Sequence, residues 1–463
     1  MTHADNLQSD PRLVQAKELI LAAIQDHAAA LQGPRPPTKE QASVFKTYAD
    51  LASDVRGRSL LLPYLSSGLG HGPWVELVDG SVKLDFITGI GVHILGHSHP
   101  LLVEAGLDAA VEDTVMQGNL QMNPAAVEVA SRLLDLATSQ GAPLAHCFLS
   151  TSGAMANENA LKILFHHRSP ASRLIAFQGA FAGRSLATAQ ITDRPEYRRG
   201  LPTTLAVDRL PFYDPEHPER STKTAVDTLK RHLHHYPNAH AGIVIEPILG
   251  EGGFYPGSSS FFREVLSQAR EAGLLVFLDE VQSFGRTSQP FAFQHFDLND
   301  LVDVVTVGKM TQLCATLYRA EWNPEPALLS QTFTASTSAI YAAKAILQEL
   351  QTGGYFGPDG KNLRLGASFT SGLHELSQRL PGSLTGPFGL GGMVGFTPLD
   401  GSPAKTMKLV HALYEEGLMG FPAGKSPSRI RFLLPMGVLE PSHLDVALSI
   451  LETVLSQFLP TSP

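Results

Sequence analysis

Between Cys147 and Lys309 the chain repeats one unit: a short apolar run, a glycine-bearing loop, then a segment with helical period. AHCFLSTSGAMANENALKIL shows it, and so does AGIVIEPILGEGG followed by FFREVLSQAREAG. Strands alternating with helices in this way predict an α/β fold with a parallel sheet, because parallel neighbours need a crossover long enough to hold a helix. Two runs, GLLVFLDEV and LVDVVTVGK, are continuously apolar and end in polar residues, as strands buried on both faces do. Ligands in such sheets gather beyond the carboxyl ends of the strands. Asp279 and Lys309 occupy two of those ends.

The flanking text is different. Residues 11 to 32 carry apolar positions at helical period, and PRPP at 34 to 37 stops that helix, which reads as an N-terminal arm. WVELVDGSVKLDF alternates around Asp79-Gly80, the pattern of a hairpin. Beyond about residue 340 come a helix (AIYAAKAILQELQ), a passage with GLGGMVGF and an amphipathic helix from Pro441 to Phe458, which suits a smaller α+β domain. The expected division is 1–75 for the arm and part of the small domain, 76–335 for the large domain and 336–463 for the rest of the small domain. A chain of 463 residues exceeds the usual size of a single core, which agrees with two packed regions.

With 43% hydrophobic and 17% charged residues the composition is that of an ordered globular chain. The net charge is -9 and the basic residues are scattered, so the footprint of a nucleic-acid binder is missing. No window reaches the apolar length of a membrane span, and MTHADNLQSDPR lacks the form of a secretory signal. Cys147 and Cys314 have no partner at metal-site or redox spacing, which points to a cytoplasmic chain with two thiols. His232, His234 and His235 lie in a polar helical stretch without a carboxylate at ligand spacing, so they read as a solvated face and no metal site is expected.

Lys309 follows directly on an apolar strand, where partial desolvation favours the neutral amine that nucleophilic chemistry requires. The same position also suits a lysine that merely snorkels from a strand end. Asp279, at a neighbouring strand end, is placed to keep a pyridine nitrogen protonated, or else to cap its own loop. Ser152-Gly153-Ala154 lies between the run CFLS and the helix NENALKILF, and backbone N–H groups at such a helix start form an anion site. A plain serine cap is the simpler account of that segment taken alone.

Together these residues carry a family resemblance. GIGVHILGHSHP, SGAMANENALK, FAGRS, EPILGEGG, DEVQSFGRT, VVTVGK, TFTAS and IRFLLP stand in the order found in class III (ω-)aminotransferases. These are fold type I pyridoxal-phosphate enzymes, with a mainly parallel seven-stranded sheet in the large domain. The resemblance implies that Lys309 bonds pyridoxal 5'-phosphate as a Schiff base and carries the proton, that Asp279 pairs with the pyridine nitrogen, and that Gln282 contacts the ring hydroxyl. Ser152, Gly153 and Ala154 match the phosphate loop, and Phe181 the aromatic that stacks on the ring. Thr332 matches a phosphate contact made across a homodimer with shared active sites. Arg431 resembles the arginine that binds an α-carboxylate, Glu251 the glutamate that masks it, and Arg184 the arginine for the distal carboxylate of glutamate or 2-oxoglutarate. NENALKILF and GKMTQLC are most similar to the subgroup handling the terminal amine of lysine or 4-aminobutyrate. The expected activity is therefore transfer of an ω-amino group, as of lysine, ornithine or 4-aminobutyrate, to 2-oxoglutarate or a similar keto acid.

Several positions depart from the family text. Ala182 stands where His is common, Leu249 where Gln is frequent and Met155 where Glu is frequent; DEVQSFGRT is one residue short and TFTASTS lacks the common Gly-Gly-Asn-Pro. These changes leave the Lys-Asp-phosphate set intact and bear on the substrate. An amino-acid epimerase, an aminomutase or a decarboxylase on the same scaffold, or a binding protein that keeps the fold without catalysis, are the alternatives.

Overall fold

The structure is a computed structural model that describes residues 2–459. The chain packs into two compact units. The first takes the described residues up to Glu112, Arg364–Phe388, and those from Gly392 onward. The second takes Asp113–Leu363 and Gly389–Gly391.

The second unit is built on a seven-stranded sheet. Its strands in chain order are β1 (Leu144–Ser150), β2 (Arg173–Phe177), β3 (Ala206–Leu210), β4 (His240–Ile245), β5 (Leu275–Glu280), β6 (Val304–Val307) and β7 (Cys314–Arg319). They lie side by side in the order β1-β7-β6-β5-β4-β2-β3. Strands β2 to β6 pair in parallel, whereas β7 runs antiparallel to both β6 and β1, so six strands share one direction. Every residue of β4, β5 and β6 is buried, as the continuous apolar runs require.

Helices cover the sheet because their apolar positions fall on one face. Helix α1 (Gly153–His167) starts at Ser152, whose Oγ accepts a hydrogen bond from the Met155 N–H at 3.2 Å, and it buries Ala156, Ala160, Ile163 and Leu164. Helix α2 (Pro218–His235) buries Ala225, Val226 and Leu229, while α3 (Ser259–Glu271) buries Phe261, Phe262, Val265, Leu266 and Ala269. Gly242 of β4 lets α1 and β5 approach: a Cβ there would lie 2.5 Å from Leu164 Cδ2 and 2.7 Å from the Leu275 carbonyl.

The first unit is α+β. One four-stranded sheet joins Ser66–His71, Trp74–Leu77, Val82–Asp85 and Leu418–Met419; the other joins Leu384–Leu390, Met393–Pro398, Ser428–Leu433 and Phe421–Gly424. The hairpin around Asp79-Gly80 and the helix Pro441–Phe458 form as expected. The arm helix is shorter than its periodicity suggested: it runs Pro11–Ala28, and a Leu31 N–H to Ala28 carbonyl bond tightens its end before the prolines are reached.

The units also differ from the expected boundaries. Residues 76–112 belong to the first unit, since strand Val82–Asp85 pairs with Leu418–Met419. Residues 336–363 belong to the second, since helix α4 (Thr337–Thr352) packs on the helix Pro124–Thr138. Among the described residues no helix is long and apolar enough to cross a membrane. His234 and His235 are exposed on α2, whereas His232 is half-buried, with its ring 3.8 Å from Asp208.

Candidate active site

Because six strands run the same way, their carboxyl ends and the loops that follow gather on one side of the sheet. A cavity of about 310 Å³ opens there, within the second unit. Strand β1 leads into it through Gly153 and Ala154, β4 through Glu246 and Glu251, β5 through Asp279 and Gln282, and β6 through Lys309. Phe181 and Arg184, from the loop after β2, complete the wall.

Lys309 has the left-handed conformation, φ 51°, which is uncommon outside glycine. It opens a short 3-10 turn closed by the Gln312 N–H on its carbonyl at 2.9 Å. Its neighbour Gly308 leaves room for β7, since a Cβ there would lie 2.7 Å from Cys314 Sγ. Asp279 is buried; its Oδ1 accepts from the Val281 N–H at 3.0 Å and its Oδ2 from Asn157 Nδ2 at 2.6 Å. Burial pushes this carboxyl up to about 6, against the N–H of Val281, the amide of Asn157 and the charge of Lys309, all of which favour the ionised form.

Glu246 is a second buried acid in the cavity. Its two oxygens accept the N–H groups of Phe181, at 2.8 Å, and Gly250, at 3.0 Å. Burial, helped by the negative charge of Asp279, pushes it up to about 8 despite those two donors. Tyr197 ties the outer wall together: Phe181 meets its ring edge-on at 6.4 Å, and the Arg184 guanidinium lies over it at 3.9 Å. Gly153 opens α1 against Val281, whose Cγ1 would lie 2.8 Å from a Cβ at that position.

Thus Gly153, Ala154, Phe181, Arg184, Glu251, Asp279, Gln282 and Lys309 line one cavity. Ser152 stands at its edge as the cap of α1. Thr332 is exposed and outside the lining, in a loop whose Thr332 carbonyl lies against Gly118. Arg431 is in the first unit, fully buried on Ser428–Leu433 and in register with Gly395 and Phe421. The sequence reading passed over Glu246, Asn157 and Tyr197. Glu246 had a usable signal, since it follows AGIVI just as Lys309 follows VVTVG. Asn157 and Tyr197 had none, because their roles come from neighbours distant in the chain. Among the described residues no group of three or more His, Cys, Asp or Glu side chains is placed to hold a metal ion.

These groups fit pyridoxal phosphate. A helix start that tolerates only a small residue suits the phosphate, a buried carboxylate suits the ring nitrogen, and a half-buried amine suits the aldehyde carbon. Comparison with known proteins agrees. The family described as class-III aminotransferases matches residues 62–455. A probable 4-aminobutyrate aminotransferase of Bacillus subtilis is 31% identical over 412 residues, which cover 83% of this chain and 92% of that protein. An acetylornithine aminotransferase of Gloeobacter violaceus is 30% identical over 402 residues, covering 84% and 92%. In three dimensions the chain is similar to a lysine aminotransferase from M. tuberculosis, with a TM-score of 0.79 at 24% identity over 89% of this chain and 100% of that one, a likeness of fold. The chain belongs to the class-III aminotransferases and is a pyridoxal-phosphate-dependent transaminase of fold type I.

Proposed function

We propose that the enzyme takes the terminal amino group of an ω-amine donor, of the lysine, ornithine or 4-aminobutyrate type, and delivers it to 2-oxoglutarate or a similar keto acid. The observation that carries this reading is the convergence of an amine, a buried carboxylate and a helix start at three strand ends around one cavity. The names of the relatives, which act on acetylornithine and 4-aminobutyrate, support the donor class.

Bound pyridoxal phosphate supplies an electron sink for charge developing at the carbon that bears the amine. The chain's residues do the rest. Lys309 would bond the cofactor and, once displaced, move the proton between the reacting carbon and the cofactor. Asp279 would hold the proton on the ring nitrogen, and Gln282 would meet the ring hydroxyl. The amides of Gly153 and Ala154, with Ser152 capping the same turn, would take the phosphate, and Phe181 would cover the ring. Arg184 is assigned to the distal carboxylate of the keto acid, and Arg431 and Glu251 to recognition or exclusion of an α-carboxylate. Planar two-point contact is what arginine offers such groups.

Thr332 is assigned to the phosphate of the other subunit in a homodimer. Supporting a dimer, the second unit exposes Val115, Met116, Met122 and Val127 around Leu120, which is 100% exposed. A cytoplasmic location accords with Cys147 and Cys314, both free thiols.

The test is a pair of half-reactions on purified holoenzyme. An ω-amine donor is expected to discharge the visible absorbance of the bound cofactor stoichiometrically, and 2-oxoglutarate to restore it. Borohydride is expected to fix the cofactor at Lys309, and Lys309→Ala to lower kcat at least about a thousandfold, the scale for loss of a nucleophile that is also the general base. Failure of borohydride to label Lys309 overturns the assignment of the amine. Repeated turnover to a racemised or amino-shifted product without a keto acid overturns transamination in favour of an isomerase.

A further inference from the structure

From the cavity wall a buried polar relay, Asp279–Asn157–Thr306, runs back into the sheet. Asn157 sits on α1, 1% exposed; the other buried amide of that helix, Asn159, donates to Ser150 Oγ instead. Its Nδ2 donates to Asp279 Oδ2 at 2.6 Å and to the Ala182 carbonyl at 2.7 Å. Its Oδ1 accepts from Thr306 Oγ1 at 2.8 Å. Thr306 stands directly opposite Asp279 in the β5–β6 register.

This set fixes which way the amide faces. Turned over, its carbonyl would confront a carboxylate and a carbonyl, while its NH2 lost two acceptors. Asn157 therefore presents a donor to Asp279 and cannot present an acceptor. In a low-dielectric site a carboxylate and an aromatic nitrogen compete for one proton, and a donor aimed at the carboxylate favours the charge-separated pair.

Resting on the function proposed above, we infer that Asn157 is the positioning residue for Asp279: it holds the carboxylate ionised and oriented, so that the proton stays on the ring nitrogen of the cofactor. Burial works against that state, driving Asp279 up to about 6, and the donors oppose it. The other titratable groups that face Asp279 are Lys309, Glu246, Glu280 and Cys314, with Arg184 and Glu251 in the same cavity wall. None of them is replaced when Asn157 is changed.

The experiment compares holoenzymes of wild type, Asn157→Leu, Asn157→Val and Thr316→Val. The last is a packing control, since Thr316 Oγ1 donates to the carbonyl of Ala156 on the same helix without touching Asp279. Each is loaded with pyridoxal phosphate labelled with 15N in the ring and examined by solid-state NMR, with cofactor Kd measured in parallel. The wild-type resonance is expected in the protonated range. Asn157→Leu and Asn157→Val are expected to move it toward the neutral-pyridine value and to weaken the cofactor about tenfold, the scale of one hydrogen bond to a charged group. Thr316→Val is expected to lower Tm and leave the resonance unmoved. A neutral ring nitrogen in wild type, or a protonated one in whichever Asn157 variant folds, overturns the inference. A wild type that binds no pyridoxal phosphate instead overturns the functional reading beneath it.

Discussion

Three acids at the strand ends, Glu246, Asp279 and Glu280, are held protonated to higher pH in the folded chain than in the unfolded one. Burial is the largest cause in each, with values near 8, 6 and 7. A carboxyl with a raised folded value binds more protons folded than unfolded, so its effect is a loss of stability as pH rises from the ordinary carboxylate range to the raised value. Buried His240 and half-buried His93, His295 and His443 are shifted down by desolvation, so their effect is a loss of stability as pH falls below their ordinary value. Above about pH 7, where these histidines are neutral both folded and unfolded, the urea midpoint of the cofactor-free protein is therefore expected to fall as pH rises toward about 8. Glu246→Gln should flatten the alkaline side, and an unchanged slope from about pH 7 to about pH 9 in that variant contradicts the assignment to Glu246. At this scale the sequence was informative about which residues reach the cavity from a strand end. Lys309 and Asp279 were legible because an apolar run stops at them. Asn157 was not, because a polar residue on a helix face looks solvent-facing until the sheet beneath it is known.

Among the elements, the buried parallel strands were the easiest to read, since continuous apolar runs leave few other solutions. The reversed direction of β7 was not readable, as a six-residue strand following a short turn carries no mark of its orientation. Helix ends were legible where a proline and a polar cap coincide, as at Pro441, and not where the chain simply tightens, as at Ala28. Gly242 shows how closely α1 and β5 meet β4. Gly242→Ala is expected to destabilise the protein by about 1–3 kcal/mol, the usual cost of overpacking a core, because the Leu275 carbonyl cannot retreat without disturbing the β4–β5 pairing. Chemical denaturation measures this, and a change below about 0.5 kcal/mol would show that the layers can move apart.

At the scale of the molecule, the sequence indicated two regions but not how the chain shuttles between them. Strand Val82–Asp85 joins Leu418–Met419 across more than three hundred residues, a pairing that no local pattern announces. The exposed patch around Leu120 belongs to this scale too. On the homodimer proposed above, Leu120→Asp is expected to shift the protein toward monomer in sedimentation and to weaken cofactor retention if Thr332 serves the neighbouring subunit. An unchanged dimer with full retention would locate the interface elsewhere. The shared direction of six strands has a further consequence. The start of α1, Asp279 and Lys309 stand at the ends of three different strands, each position anchored by its own strand. A loop after β2 or β4 can be lengthened, shortened or exchanged while those three anchors keep their spacing. One framework is thereby open to repeated changes of substrate by exchange of its rim, without reinvention of its chemistry.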